Sequence, residues 1–134
     1  MSRFLNEVKD LNLPVGKYTV VGGGALAARG LREANDIDLL LNEDLYDQLK
    51  NEGWEEKEKR TGYYHLYKGK AEAAKNFLHI EGCKLDPEDV IKNSDILEEV
   101  PVMNLADSMK LKQIMGREKD LLDIELMKSY LAHK

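Results

Sequence analysis

Cysteine is almost missing from this chain: Cys83 is the single one, so no internal disulfide can form and no zinc cluster can be built from thiolates. Its ordinary role is that of a small, half-buried apolar residue. Proline is scarce too, with three positions in all, which removes fibrous and disordered compositions from consideration. Long apolar runs are absent too. The stretch from Met1 to Asp10 carries a charge every few residues, so it cannot serve as the apolar centre of a secretory signal or as a membrane span, and a cytoplasmic location is the default expectation. Finally, there is no basic stripe. Lys and Arg are interleaved with Asp and Glu at a formal net charge of -5, which argues against strong duplex DNA binding through counterion release.

What is present is an ordinary globular balance, 43% hydrophobic and 34% charged over 134 residues, enough for one domain spanning 1–134. Phe4, Leu5, Val8 and Leu11 recur at helical spacing before Pro14 and Gly16. Tyr18 to Val21 reads as a buried strand, Ala25 to Leu31 as a helix, and Asp36 to Leu41 as a second strand. Asn42 caps a helix to Asn51 that Gly53 closes, and Trp54 leads into a hairpin turning at Thr61-Gly62. A further strand is expected over Asn76 to Glu81, a helical turn after Asp86-Pro87, and an edge strand or an extended segment over Val100 to Met103. Asn104 with Asp107 marks the start of a helix to Met115. After Gly116, Leu121, Leu122, Ile124, Met127, Tyr130 and Leu131 give the last helix a wide apolar face that should pack on the body of the domain. The expected class is α+β, a mixed central sheet flanked by helices with the C-terminal helices packed on it.

The chemistry concentrates between Val20 and Leu41. Glycines at a strand-to-helix turn, Gly22-Gly-Gly24, let backbone N–H groups approach a phosphate closely. Residues two apart on a strand share a side, so Asp36 and Asp38 present two carboxylates to one spot while Ile37 turns to the core. Such a pair suits Mg²⁺, or Mn²⁺, shared with the phosphates of a nucleoside triphosphate.

These residues, Gly-Gly-x-Ala-Leu followed by Arg29-Gly-Leu-Arg32 and Asp36-Ile-Asp-Leu39, resemble the signature of the DNA polymerase β-like nucleotidyltransferase superfamily. The likeness is to its small bacterial branches: minimal, aminoglycoside- and lincosamide-modifying, and toxin-antitoxin nucleotidyltransferases. Leu105 to Lys112 and Gly116-Arg-Glu-Lys-Asp-Leu-Leu-Asp-Ile124 are similar to the stretch where these families carry a helix lysine, an Arg-x-Lys-Asp turn and a further Asp. The resemblance implies a nucleotidyltransferase fold, Gly23 and Gly24 on the triphosphate, Asp36 and Asp38 on the metal, and Lys112, Arg117 and Lys119 near phosphate or holding the last helices in place. It also implies a third acidic residue on a later strand, for which His79 and Glu81 are the candidates. The implied activity is Mg²⁺-dependent transfer of a nucleotidyl group from ATP or another triphosphate to a hydroxyl of a small molecule, protein or RNA.

Other readings compete. Gly22-x-Gly24-x-x-Ala27 also satisfies a loose dinucleotide fingerprint of the Rossmann type, although Asp36 and Asp38 begin the second strand rather than end it. Arg29 and Arg32 fit a solvated helix surface as well as a phosphate role. Lys112, Arg117, Lys119, Asp120 and Asp123 fit a capped helix junction with local ion pairs. His65 and His133 read as surface residues, and Tyr63, Tyr64 and Tyr67 as hairpin packing. A binding or regulatory module of toxin-antitoxin type, with weakened catalysis, is the alternative to an enzyme. A homodimer or a separately encoded partner could supply the acceptor groove, with the last helix as the contact surface.

Overall fold

The computed structural model describes residues 3–133; Met1 and Ser2 of the N-terminal stretch, and Lys134, lie outside them. Among the described residues thirteen elements follow one another: α1 (Arg3–Lys9), β1 (Tyr18–Val21), α2 (Gly24–Ala27), β2 (Ile37–Leu41), α3 (Glu43–Asn51), β3 (Glu55–Arg60), β4 (Tyr63–Lys68), β5 (Ala71–Ala74), α4 (Pro87–Lys92), β6 (Asp95–Leu97), β7 (Val100–Val102), α5 (Leu105–Met115) and α6 (Glu118–Ala132). The strands form one mixed sheet in the order β3-β4-β5-β2-β1-β7-β6. The class is therefore α+β, with helices on both faces. Among the described residues no helix is long and apolar enough to cross a membrane.

Alternation along the central strands divides the core. Val20 on β1 and Ile37, Leu39 and Leu41 on β2 face a cluster with Leu5 and Val8 of α1 and Leu45, Tyr46 and Leu49 of α3. Leu40, one residue out of phase, faces the other way, into a cluster with Val90 and Ile91 of α4 and Leu111 of α5. Asp38 shares the face of Leu40, two residues away. Polar groups buried at this level are matched: the Ser94 hydroxyl donates to that of Thr19 at 2.7 Å.

Helix ends follow their capping residues. Asn42 accepts from the Leu45 amide at the start of α3, and Asn104 accepts from the Asp107 amide at the start of α5. Gly116, at φ 60°, closes α5. Elsewhere the structure corrects the expectations. The helix expected from Ala25 to Leu31 is α2 alone, four residues that give way to turns ending on Gly30 at φ 73°. Val100–Val102 is not at the edge, because β6, unforeseen, lies outside it; only Val102 pairs with β1, so Pro101 interrupts little of the ladder. The strand expected over 76–81 is a run of bends and turns, in which Asn76 Oδ1 accepts from the Leu78 amide and the Ile80 amide donates to the Phe77 carbonyl. The strand in that part of the sheet is β5, parallel to β2.

The last two helices are fastened by charge as well as by packing. Ile124 and Met127 of α6 bury themselves against Leu26 of α2 and Leu105 of α5, each burial contributing about 1.5–3 kcal/mol. Leu121, Leu122 and Leu131 remain exposed, so the apolar face of α6 is only half covered. Beneath it, Asp123 receives a two-pronged contact from Arg32, at 2.8 and 2.9 Å, and Lys112 Nζ at 2.9 Å. Asp120, fully buried, is paired with Arg117 at 2.6 Å, and its carboxylate also accepts from the Arg117 amide.

Removing one partner of such a buried network strands the others, so Asp123→Ala should cost about 3–5 kcal/mol in a urea titration. Burial opposes ionisation of Asp120 and Asp123, but their cationic partners overcome it and hold both carboxyls below the ordinary aspartate value. Their stabilisation is then complete above the ordinary value of about 3.9 and is lost as pH falls through the lowered folded values. Wild-type urea midpoints should fall between pH 5 and pH 3, and an Asp123→Ala chain should lose less over that interval.

Candidate functional site

The site is built outward from β2. Antiparallel pairing sets Val21 opposite Asp38, and parallel pairing with β5 sets Glu72 on its other side. Residues opposite each other on neighbouring strands share a face, so two carboxylates stand side by side, just past the end of β1 where the glycine turn begins. Tyr67 pairs with Glu72 on β4 and extends the row. Two residues back on the same strand, His65 is on the same face, and its Nδ1 lies 2.6 Å from Glu72 Oε2. Lys59 Nζ reaches the same oxygen at 3.1 Å.

The glycine turn has a division of labour. Gly22 takes φ 61°, and a Cβ there would come within 2.8 Å of Asp38 Oδ2. A Cβ on Gly23 would meet the Arg32 guanidinium at 2.7 Å. One on Gly24 would strike Val20 Cγ1 and Phe4 Cζ at 2.6 and 2.7 Å. Gly24 thus lets α1 and β1 approach, whereas Gly22 and Gly23 face a cavity of about 150 Å³ that Asp38, Arg32, Ser108, Lys112, Lys119 and Asp123 also line.

The sequence candidates separate accordingly. Gly23, Arg32, Asp38, Lys112, Arg117 and Lys119 converge on this cavity; Gly24 packs beneath it. Arg29 is directed elsewhere, donating to Asp95 and the Ala25 carbonyl at 2.7 Å and to the Met103 carbonyl at 3.3 Å. Asp36 is exposed just before β2 and does not line the cavity. His79 lies in the turn segment with its ring edge-on to His65, 4.8 Å between centroids, and Glu81 is exposed in the same segment. Neither stands on a strand beside Asp38, contrary to the expectation, because the chain has already left the sheet at Ala74. The strand partner is Glu72, which sequence reasoning missed. The period-two signal was present in Ala71-Glu-Ala-Ala74 after Gly69, but three alanines have low strand propensity and the run is short. His65, expected at the surface, is 6% exposed, with Glu72 and the His79 ring against it.

Electrostatics distinguish the two carboxylates. Burial raises the Asp38 pKa, and the neighbouring charges of Glu72 and Asp36 raise it further. For Glu72 burial acts the same way, yet the hydrogen bonds from His65 and Lys59 outweigh it and hold the carboxyl below its ordinary value. His79 is depressed by burial and by the adjacent His65. Among the described residues no group of three or more His, Cys, Asp and Glu side chains could by itself hold a metal ion. The donor chemistry nonetheless fits Mg²⁺ in its usual mode, one or two carboxylates completed by substrate phosphates and water, since Asp38 lines the cavity and a cation there would offset the burial that disfavours its charge.

Comparison with family models, with curated proteins and with solved structures returned no match. The antiparallel pairing of β1 with β2 also excludes the dinucleotide-binding βαβ unit, whose strands are parallel.

Gly22→Ala and Gly30→Ala both force a side chain into a positive φ, a strain of about 1–2 kcal/mol, but only the first also meets Asp38; Gly30 has nothing within 4 Å. Denaturant titration should find Gly22→Ala the more destabilising. Because the folded pKa of Asp38 is raised, its ionisation opposes folding above that value and ceases to do so as pH falls to the ordinary one. Asp38→Asn should therefore melt higher than the wild type at pH 7 without divalent metal, and the difference should vanish at pH 3.

Proposed function

We propose that the chain is a nucleotidyltransferase-fold domain that binds a nucleoside triphosphate with Mg²⁺ and transfers the nucleotidyl group to a hydroxyl acceptor. One observation carries the reading: Asp38 lies between a glycine turn and a second carboxylate, Glu72, beside a cavity rimmed by Arg32, Lys112 and Lys119. The antiparallel β1–β2 pair flanked by parallel β5, with the turn and the Asp-x-Asp on adjoining strand ends, supports the resemblance read from the sequence.

In this mechanism Gly22 and Gly23 admit phosphate oxygens close to the backbone, and the cations of the rim hold and orient the chain of phosphates. Asp38 would hold Mg²⁺, or Mn²⁺ in its place, with Asp36, outside the cavity, adding negative charge nearby; the ion would supply charge neutralisation at the phosphate under attack and at the leaving pyrophosphate. Glu72 is kept ionised by His65 and Lys59, so it can accept a hydrogen bond or a proton from an acceptor hydroxyl brought alongside Asp38. His79, edge-on to His65, buttresses that imidazole rather than meeting the nucleotide.

A second reading is favoured by a specific contact: Glu72 is already engaged by three side chains, His65, Lys59 and Tyr67. A site so engaged binds nucleotide without turnover, as a regulatory module of toxin-antitoxin type, with the exposed leucines of α6 available to a second copy or a separate partner chain.

Calorimetric titration of ATP, GTP, CTP and UTP with Mg²⁺ tests the proposal on the wild type, an Asp36→Ala, Asp38→Ala double variant and Glu72→Gln. Metal-dependent binding lost in the double variant is expected. Glu72→Gln should keep binding while slowing release of pyrophosphate by about 100-fold or more, the usual scale for a general base. No binding of any triphosphate would sink both readings, and binding without pyrophosphate release from any acceptor mixture would leave the module.

A further inference from the structure

Among the described residues one buried side-chain polar atom lacks a hydrogen-bond partner, and it is the hydroxyl oxygen of Ser108. Buried hydroxyls are seldom left in this state, because desolvation without a replacement bond costs on the order of 1–3 kcal/mol. A helical serine ordinarily returns its proton to the carbonyl four residues back. That carbonyl, of Asn104, accepts the Ser108 amide at 3.0 Å, and the hydroxyl does not join it. The Asn104 side chain is occupied as well, capping the helix at the Asp107 amide.

The position of this orphan is informative. Ser108 sits one turn before Lys112 on α5, 3% exposed, and lines the same cavity as Gly22, Gly23, Arg32 and Lys119. About 150 Å³ is well below the roughly 300–1,000 Å³ of pockets that enclose drug-sized ligands, so the cavity accommodates phosphate groups rather than a whole nucleotide. Its cations outnumber its carboxylates: Arg32, Lys112, Arg117 and Lys119 against Asp38, Asp120 and Asp123. A neutral donor held free in a small cavity with surplus positive charge is suited to an anionic oxygen.

We infer that the Ser108 hydroxyl is a phosphate-positioning donor, left unpaired in the free protein and hydrogen-bonded to a phosphate oxygen when the cavity is filled. This rests on the nucleotide-binding reading above and extends it to a residue on α5 that neither the glycine turn nor the Asp-x-Asp pattern indicates. Reorientation about the one side-chain torsion of serine is enough to turn the hydroxyl toward the ligand. The position also couples ligand to fold, since α5 carries Lys112, which is ion-paired to Asp123 of α6.

The test pairs two measurements on the wild type and on Ser108→Ala: calorimetric affinity for Mg²⁺-ATP and for inorganic pyrophosphate, and the melting temperature of each free protein. Deleting an unsatisfied group should leave the free Ser108→Ala melting at the wild-type temperature or above it. Its affinity for both ligands should fall about tenfold, the scale of one hydrogen bond to a charged group. Ser108→Cys, which keeps a weak donor of similar size, should recover part of that affinity. Equal affinities in the wild type and Ser108→Ala would overturn the inference while leaving the nucleotide site intact. A lower melting temperature for the free variant would overturn it in favour of a structural hydroxyl, one satisfied by water. A wild type that binds neither ligand would overturn this inference and the functional reading together.

Discussion

Asp123 receives Arg32 from the segment after α2 and Lys112 from α5, and that double engagement is what brings the C-terminal helices to the glycine turn. Without it, two cations drawn from positions 80 residues apart in the chain would repel each other across a small cavity. With it, each is fixed in direction, and the Arg32 guanidinium comes within 2.7 Å of where a Cβ on Gly23 would be. The ion pairs are therefore as much part of the phosphate-facing surface as the turn is. They also account for the arrangement of α6, whose acidic residues Asp120 and Asp123 point inward while Leu121 and Leu122, next to them, are left in solvent. In most amphipathic helices the apolar residues take the inner face. Here charge complementarity overrides hydrophobic pattern over the first turn and a half, and hydrophobic packing resumes with Ile124 and Met127.

The same competition explains what was legible in the sequence. Strands β1 and β2, the Asn-capped helices α3 and α5, and the β3–β4 hairpin were readable because each carries its own local signal: β-branched runs, capping side chains, a glycine turn. Of the Asp-x-Asp pair, Asp38 takes its place on β2 and lines the cavity, whereas Asp36 lies before the strand and outside it. What sequence reading missed depends on distant partners. Ala71–Ala74 is a strand because β2 and β4 flank it, not because alanine favours that conformation. Asn76 to Glu81 has a period-two pattern, but the Asn76 side chain bonds the Leu78 amide and bends the chain out of the sheet.

The misplacement of that strand carried the candidate site with it. His79 and Glu81 were natural choices for a third functional group on a strand that does not exist, and Glu72 takes the place beside Asp38. The arginines divided in a way no local pattern announces. Arg29 is spent on Asp95 and two backbone carbonyls, while Arg32, three residues on, reaches Asp123. Three positions along the turns after α2 separate a structural strut from a cavity cation.

The row from Val21 through Asp38 and Glu72 to Tyr67 is held in line by ladder register across four strands rather than by any one contact. Because strand side chains alternate faces, a shift of a single residue between β2 and either neighbour would exchange a carboxylate for a core-facing apolar residue, Ile37 or Leu39 on β2 and Ala71 or Ala73 on β5. Length variation in a related chain is thereby confined. Residues can be gained or lost at Thr61-Gly62, at Gly69-Lys70 or between α3 and β3, where the chain reverses at the rim, but inside β2 or β5 only paired changes would preserve the alignment. The tolerance of this domain to insertion, mapped position by position, would trace the outline of the row as a silent zone.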